Sequence, residues 1–202
     1  AVDMENMMRE KNIPLFALES REPITNFDVI AFTLQYELSY TNILNMLDLA
    51  NVPILRTERK LDDPFILVGG PCAYNVEPMA DFVDIVVLGE GEEVNLEILN
   101  AYKEWKKNKT TREDFLYQIS SIEGVYIPSF YDVTYNEDNT VKEVVPNREN
   151  IPSKPHKRII KDVENVPYPE KLIVPFIDTV HNRVVLELFR GCTRGCRFCQ
   201  AG

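Results

Sequence analysis

Three short apolar runs constrain this chain more than anything else in it. "DVIAFTL" (28–34), "PFILVGG" (64–70) and the opening of "DIVVLGEGE" (84–92) are rich in β-branched and aromatic residues and have the length of strands. The second and third run straight into glycines. Helical patterns separate them. In "SYTNILNMLDLAN" (39–51), Ser39 stands where an N-cap is expected, and Ile43, Leu44, Leu47 and Ala50 recur at helical spacing. "GEGE" opens a helix predicted to reach about Lys107, and "TREDFLYQISS" (111–121) fits a further short one. Strand, helix, strand, helix at this rhythm predicts an α/β fold: a Rossmann-like parallel sheet with flanking helices on both faces.

The character changes near Gly124. "GVYIPSFYDVTYNEDNTVKEVVPN" alternates and carries Asp138 and Asn139 at its centre, which predicts a β-hairpin. "IPSKPHKRIIKDVENVPYPEKLIVP" is rich in Pro and Lys and reads as an inter-domain crossing. "RVVLELFRG" (183–191) is a fresh strand that leads into a cluster of cysteines. The expected organisation is an α/β domain over 1–123, a hairpin and linker over 124–181, and the start of a second domain over 182–202. A length of 202 residues suits one sizeable core plus part of another. With no initiator Met and a helical pattern at its start, the chain is expected to be a piece of a longer protein.

Charge and targeting narrow the function classes. The net charge is -10, yet residues 151–202 hold nine Lys/Arg against five Asp/Glu, which leaves -14 for residues 1–150. An excess of acid argues against nucleic-acid binding by the α/β part, because phosphate contacts need a basic face. For the basic tail, nucleic acid stays open beside an anionic cofactor or a solvated linker. No apolar run approaches the roughly 20 residues of a membrane helix, and "AVDMENMMREKN" has neither the basic nor the apolar region of a secretory signal. A cytoplasmic, reducing location is therefore expected, where clustered thiols bind metal or do redox work more often than they form disulfides.

Three of the four cysteines, Cys192, Cys196 and Cys199, form CxxxCxxC in "RGCTRGCRFCQAG". Three thiolates on one tight loop can hold three corners of a cubic iron–sulfur cluster and leave the fourth iron open. Gly191 and Gly195 suit a backbone that curls around a cofactor, and Arg190, Arg194 and Arg197 can offset its negative charge. A structural zinc site would need a fourth ligand, for which His156 and His181 are the local candidates at unfamiliar spacing. A disulfide, or a closed cluster completed by Cys72, are the other readings of the same thiols.

"CTRGCRFC" after a strand resembles the cluster loop of the radical S-adenosylmethionine (SAM) enzymes, in which it follows the first strand of a partial β/α barrel. The resemblance implies that Cys192, Cys196 and Cys199 bind a [4Fe-4S] cluster and that the aromatic Phe198 lies beside the adenosyl group of SAM. It implies chelation of the open iron by the methionine part of SAM, and reduction to a 5′-deoxyadenosyl radical. Upstream, "FTLQYE", "LVGGP" and "VVLGEGE" are similar to the cobalamin (B12)-binding-type domain that precedes many radical barrels. By that resemblance Thr33, Gln35, Gly69 and Gly70 flank the nucleotide tail of a corrinoid, with Gly89 and Gly91 in the third Gly turn. The D-x-H-x-x-G loop that carries the cobalt-ligating His in such domains has no counterpart in this sequence. Together the motifs resemble a bacterial branch of radical SAM Fe–S oxidoreductases with a B12-binding-like N-terminal domain.

The function expected from this is part of a radical SAM oxidoreductase or transferase acting on an unknown substrate. The rest of the barrel and a reducing partner such as a flavodoxin or ferredoxin are its implied partners, and the chain by itself is expected to be inactive. Two rivals are an α/β domain that docks a substrate or protein without cobalamin, and a cluster that serves electron transfer alone.

Overall fold

In the computed structural model, the described residues are 2–108, 110–166, 178, 180, 183 and 186–199. The chain divides into two compact units, Ala1–Lys161 and Asp162–Gly202.

The first unit opens with α1 (Val2–Lys11), whose Arg9 reaches Asp48 at 2.8 Å and Asn45 at 2.9 Å. The elements β1 (Val29–Thr33), α2 (Tyr40–Leu49), β2 (Phe65–Gly69), β3 (Ile85–Val87), α3 (Gly91–Asn108) and α4 (Arg112–Ile119) then follow in the predicted order, and an unpredicted strand, β4 (Val125–Tyr126), comes after them. The strands lie in the order β1-β2-β3-β4. β1 pairs parallel with β2 from Val29↔Phe65 to Thr33↔Gly69, and β2 parallel with β3 through Leu67↔Ile85 and Val68↔Val86.

The unbroken apolar character of β2 and β3 has a direct cause. Alternate side chains face opposite sides of a sheet, and here both sides are covered. Ile66, Val68 and Val86 join Ile43 and Leu47 of α2 in one core cluster. Phe65, Leu67, Ile85 and Val87 join Val94, Ile98, Phe115 and Ile119 of α3 and α4 in the other. Phe65, Tyr102, Trp105 and Phe115 form an aromatic knot there, with Phe65 and Phe115 centroids 4.8 Å apart. β1 sits at the sheet edge, and its burial is correspondingly incomplete.

The fourth strand departs from the all-parallel expectation: β4 runs antiparallel to β3, with Val86↔Tyr126 and Val87↔Val125 in register. The reason is a parity of helices. One helix after a strand returns the chain to the strand's start, and the next strand is parallel. Two helices, α3 and α4, bring it back to the strand's end, where Leu88 N–H donates to the Gly124 carbonyl at 2.7 Å. Val125 and Tyr126 therefore belong to this sheet. The hairpin strands are β5 (Tyr131–Tyr135) and β6 (Val141–Pro146), antiparallel, with Asn139 at φ 63° in the loop and Thr140 N–H on Asp138 Oδ1.

Ser39 does not cap α2. A 3-10 turn at Glu37–Ser39 leads into the helix, so Ser39 is already helical and its hydroxyl donates to the Tyr36 carbonyl at 2.7 Å. α4 has the full capping box instead: Thr111 Oγ1 accepts from Asp114 N–H and Asp114 Oδ2 accepts from Thr111 N–H, both at 3.0 Å.

A buried ion cluster locks the amino ends of the strands. Asp84 Oδ2 accepts from Ile66 N–H at 2.7 Å and Arg59 Nη1 at 2.8 Å, and lies 3.2 Å from Arg112 Nη2. The Arg59 side chain is wholly buried, and its other donors go to the carbonyls of Pro53, Ile54 and Phe82. Burial pulls its pKa down, and the charge of Asp84 pushes back. Among the described residues no helix is long and apolar enough to cross a membrane.

Candidate functional site

In an open α/β sheet, ligands approach the carboxyl ends of the strands. At that end of β1 and β2, Thr33 pairs with Gly69, and Leu34 N–H donates to the Gly69 carbonyl at 2.7 Å. Gly70 follows at φ +95°, where a Cβ would stand 2.8 Å from Thr33 Cγ2 and 3.1 Å from the Leu34 oxygen. Only glycine lets the chain leave β2 this close to β1. It then turns through Pro71–Asn75, with Cys72 N–H on the Leu34 carbonyl at 2.9 Å.

Beside this turn lies a cleft of about 440 Å³. Thr33, Gly69, Gly70, Gly89 and Gly91 all line it, so five of the residues singled out at the strand ends are brought together. Ala31, Leu67 and Val87 give it an apolar floor, and Asn95 of α3 adds an amide. Gln35 is exposed and is not among the lining residues. The cleft exists because α3 and α4 cover β2 and β3 on this face while β1 extends past them, leaving Ala31 and Thr33 exposed. Among the described residues no histidine lines it.

Gly89 and Gly91 enter the cleft for different reasons. Gly91 begins α3, and a Cβ there would meet only the Asn95 amide, at 2.9 Å. Gly89, at φ +96°, lies under the chain's own later segment: a Cβ would fall 2.2 Å from the Arg158 carbonyl oxygen. Arg158 N–H donates to the Leu88 carbonyl at 2.8 Å, and its carbonyl accepts from Glu90 N–H at 3.1 Å. Its guanidinium grips Glu93 at 2.6 Å and Glu97 at 2.7 Å on α3. Glu90 also accepts from Ile160 N–H. The Pro- and Lys-rich stretch read as a crossing is thus strapped, through Lys161, across the end of β3. Arg158 carried no sequence signal; it stands among neighbouring lysines, and its role needs two acidic residues more than 60 positions away.

In the second unit, Cys192, Cys196 and Cys199 are exposed and in no disulfide, and Phe198 is 91% exposed. Cys199 N–H donates to the Cys196 carbonyl at 3.1 Å, and Gly195 between the first two cysteines is at φ +62°. Among the described residues no three His, Cys, Asp or Glu converge as a metal site. Residues 183 and 186–191, the described part of the expected barrel strand, have no strand pairing, while 184 and 185 lie outside the described residues, as does His181. His156 is exposed in the first unit. The donor set nonetheless suits an iron–sulfur cluster: three accessible thiols are soft ligands, wrong for a hard cation and one short of a closed zinc site. Cys72 is of another kind, buried against α2, with its thiol pKa pushed up by burial and by Glu37, so it stays protonated.

Residues 1–128 match the family described as "Radical SAM proteins, N-terminal". The chain is 31% identical, over 197 residues and 96% of its length, to an uncharacterized protein of Methanocaldococcus jannaschii. It spans only about a third (34%) of that relative's length. No solved structure matches. With more than half of its residues matched, a three-stranded parallel core and a thiol-rich loop in its second unit, the chain belongs to the radical SAM proteins, of which it carries the N-terminal region.

Proposed function

We propose that this chain is the N-terminal region of a radical SAM enzyme in which Cys192, Cys196 and Cys199 hold a [4Fe-4S] cluster. One observation carries the reading: three accessible thiols fall within eight residues, on a loop with glycines at positive φ, in a chain whose first 128 residues match that family. The thiolates bind three irons; Gly195 lets the backbone curl between two of them; Phe198, fully outside any core, is free to pack on an adenosyl group. Arg194 and Arg197 offset the negative charge of thiolates and sulfides. Bound there, the cluster supplies an electron for reductive cleavage of SAM. Substrate, a flavodoxin- or ferredoxin-type reductant and the remaining barrel belong to the whole protein, and this chain alone is proposed not to turn over. Its proposed setting is the cytoplasm.

Anaerobic reconstitution with iron and sulfide tests this. The expected result is one cluster per chain, with an electron-paramagnetic-resonance signal on reduction that shifts when SAM is added. Loss of any one of the three cysteines to Ala abolishes it, whereas Cys72→Ala leaves it. A chain that assembles no cluster, or one that needs Cys72, would overturn the reading.

The cleft at Thr33, Gly69 and Gly70 is the proposed ligand site of the α/β unit, supported by its apolar floor and glycine rim. Cobalamin is one candidate occupant and a substrate or protein segment the other. Titration with hydroxocobalamin separates them, since a corrinoid held in the cleft changes its visible spectrum and Gly70→Val removes the change.

A further inference from the structure

Residues 1–150 carry 13 Lys/Arg against 27 Asp/Glu, yet four of the six arginines among them line one pocket. Arg56, Arg59, Arg112 and Arg148 face about 350 Å³ of space together with two carboxylates, Asp84 and Glu113. It lies at the amino ends of β2 and β3, the opposite end of the sheet from the cleft. We infer that this pocket is an oxyanion site that takes the phosphate group of a small ligand.

The charge accounting supports this. Asp84 is already consumed, accepting from Arg59 and facing Arg112, and Glu113 pairs with Arg148. Arg59 is further held by three carbonyls, and Arg112 donates to the carbonyls of Asp63 and Pro64. Four cations against two anions leave an excess of two. Asp63, outside the lining and with its carboxylate accepting from Lys60 N–H at 2.6 Å, acts on Arg59 through space and offsets part of this excess without removing it. Arg56 has its Nε on the Ala80 carbonyl at 3.1 Å and, among the described residues, no carboxylate partner.

The guanidinium planes are also fixed before any ligand arrives. Arg112 Cζ stacks 3.8 Å from the Phe65 centroid, and Arg148 Cζ 4.8 Å from that of Phe130. Stacking uses the face of a guanidinium and leaves its edge for hydrogen bonds, and a fork of N–H groups matches phosphate geometry. Arg56 and Arg148, both partly exposed, then contribute first-contact donors, with the hydroxyl of Ser129 on the same wall. The buried Arg59 and the half-buried Arg112 add field from behind, where solvent screens little.

The probe is inorganic phosphate, titrated into the 202-residue chain at constant ionic strength and followed by calorimetry and thermal melting. Saturable one-site binding with a rise in melting midpoint is expected. Arg56→Gln and Arg148→Gln should each weaken it about tenfold, with far-ultraviolet circular dichroism unchanged, since both side chains lie at the surface. Absence of saturable phosphate binding overturns the proposal. So does binding that survives both substitutions, or a short oligonucleotide that binds where free phosphate does not. None of these outcomes touches the cluster, so failure here is distinct from failure of the cysteine loop.

Discussion

Asp84→Asn is the perturbation that tests the packing logic most sharply. In the folded chain Asp84 compensates an Arg59 guanidinium with 0% side-chain exposure and also faces Arg112, at 12%. An asparagine keeps an oxygen for Ile66 N–H, so shape and one hydrogen bond survive while the charge is lost. What remains is a buried cation with only carbonyl dipoles around it. Removing one partner of such a pair costs about 3–5 kcal/mol, and the retained carbonyl places the expected loss near the lower figure. Against a total stability of roughly 5–15 kcal/mol for a domain, that is a large fraction. For a unit of this size each kcal/mol moves the melting midpoint by about 2–4 °C, so a drop of roughly 6–12 °C is expected. Thermal and urea unfolding of wild type, Asp84→Asn and an exposed control, Lys107→Ala, provide the assay. Lys107 pairs with Glu104 at 65% and 66% exposure, and its loss should leave the midpoint almost unmoved. If Asp84→Asn behaves like the control, Arg59 is not held by Asp84 in the way described here.

Gly89→Ala should dislodge the strap, because a Cβ would stand 2.2 Å from the Arg158 oxygen and the residue is at φ +96°; faster tryptic cleavage after Lys157 and Arg158 would show it, and an unchanged digestion pattern would refute it. Thr111→Ala removes the hydroxyl that accepts from Asp114 N–H and should cost about 1 kcal/mol in urea unfolding. Tyr102 and Tyr126 have pKa values pushed above the ordinary phenol range, first by burial and then by hydrogen bonds to Asp28 and Glu77. A raised folded pKa favours the protonated phenol in the native state, so this stability is intact below about pH 10 and is lost as pH rises beyond it. Ionisation of these two phenols should therefore coincide with unfolding above about pH 10, and their titration in a still-folded chain would contradict it.

The helices and parallel strands were legible in local sequence because each is governed by short-range periodicity. The strands predicted over 28–34 and 64–70 are observed at Val29–Thr33 and Phe65–Gly69, and the helix predicted to about Lys107 ends at Asn108. The reading of Ser39 as a cap failed because a 3-10 turn, not an extended residue, precedes α2. The Gly-Gly turn was visible as a pair of letters, but its cause, the approach of Thr33, needed β1 and β2 in register.

The proposed thiol chemistry also rests on sequence alone, since ligand type and spacing are properties of eight consecutive residues. Tertiary structure decided everything that joins distant residues. The antiparallel β4 follows from two helices packing on one face. The strap at Gly89 depends on Arg158 meeting Glu93 and Glu97. The pocket of four arginines gathers positions 56 to 148 around one aspartate. No local pattern encodes such meetings, because the free energy that selects them comes from burying both faces of the sheet at once.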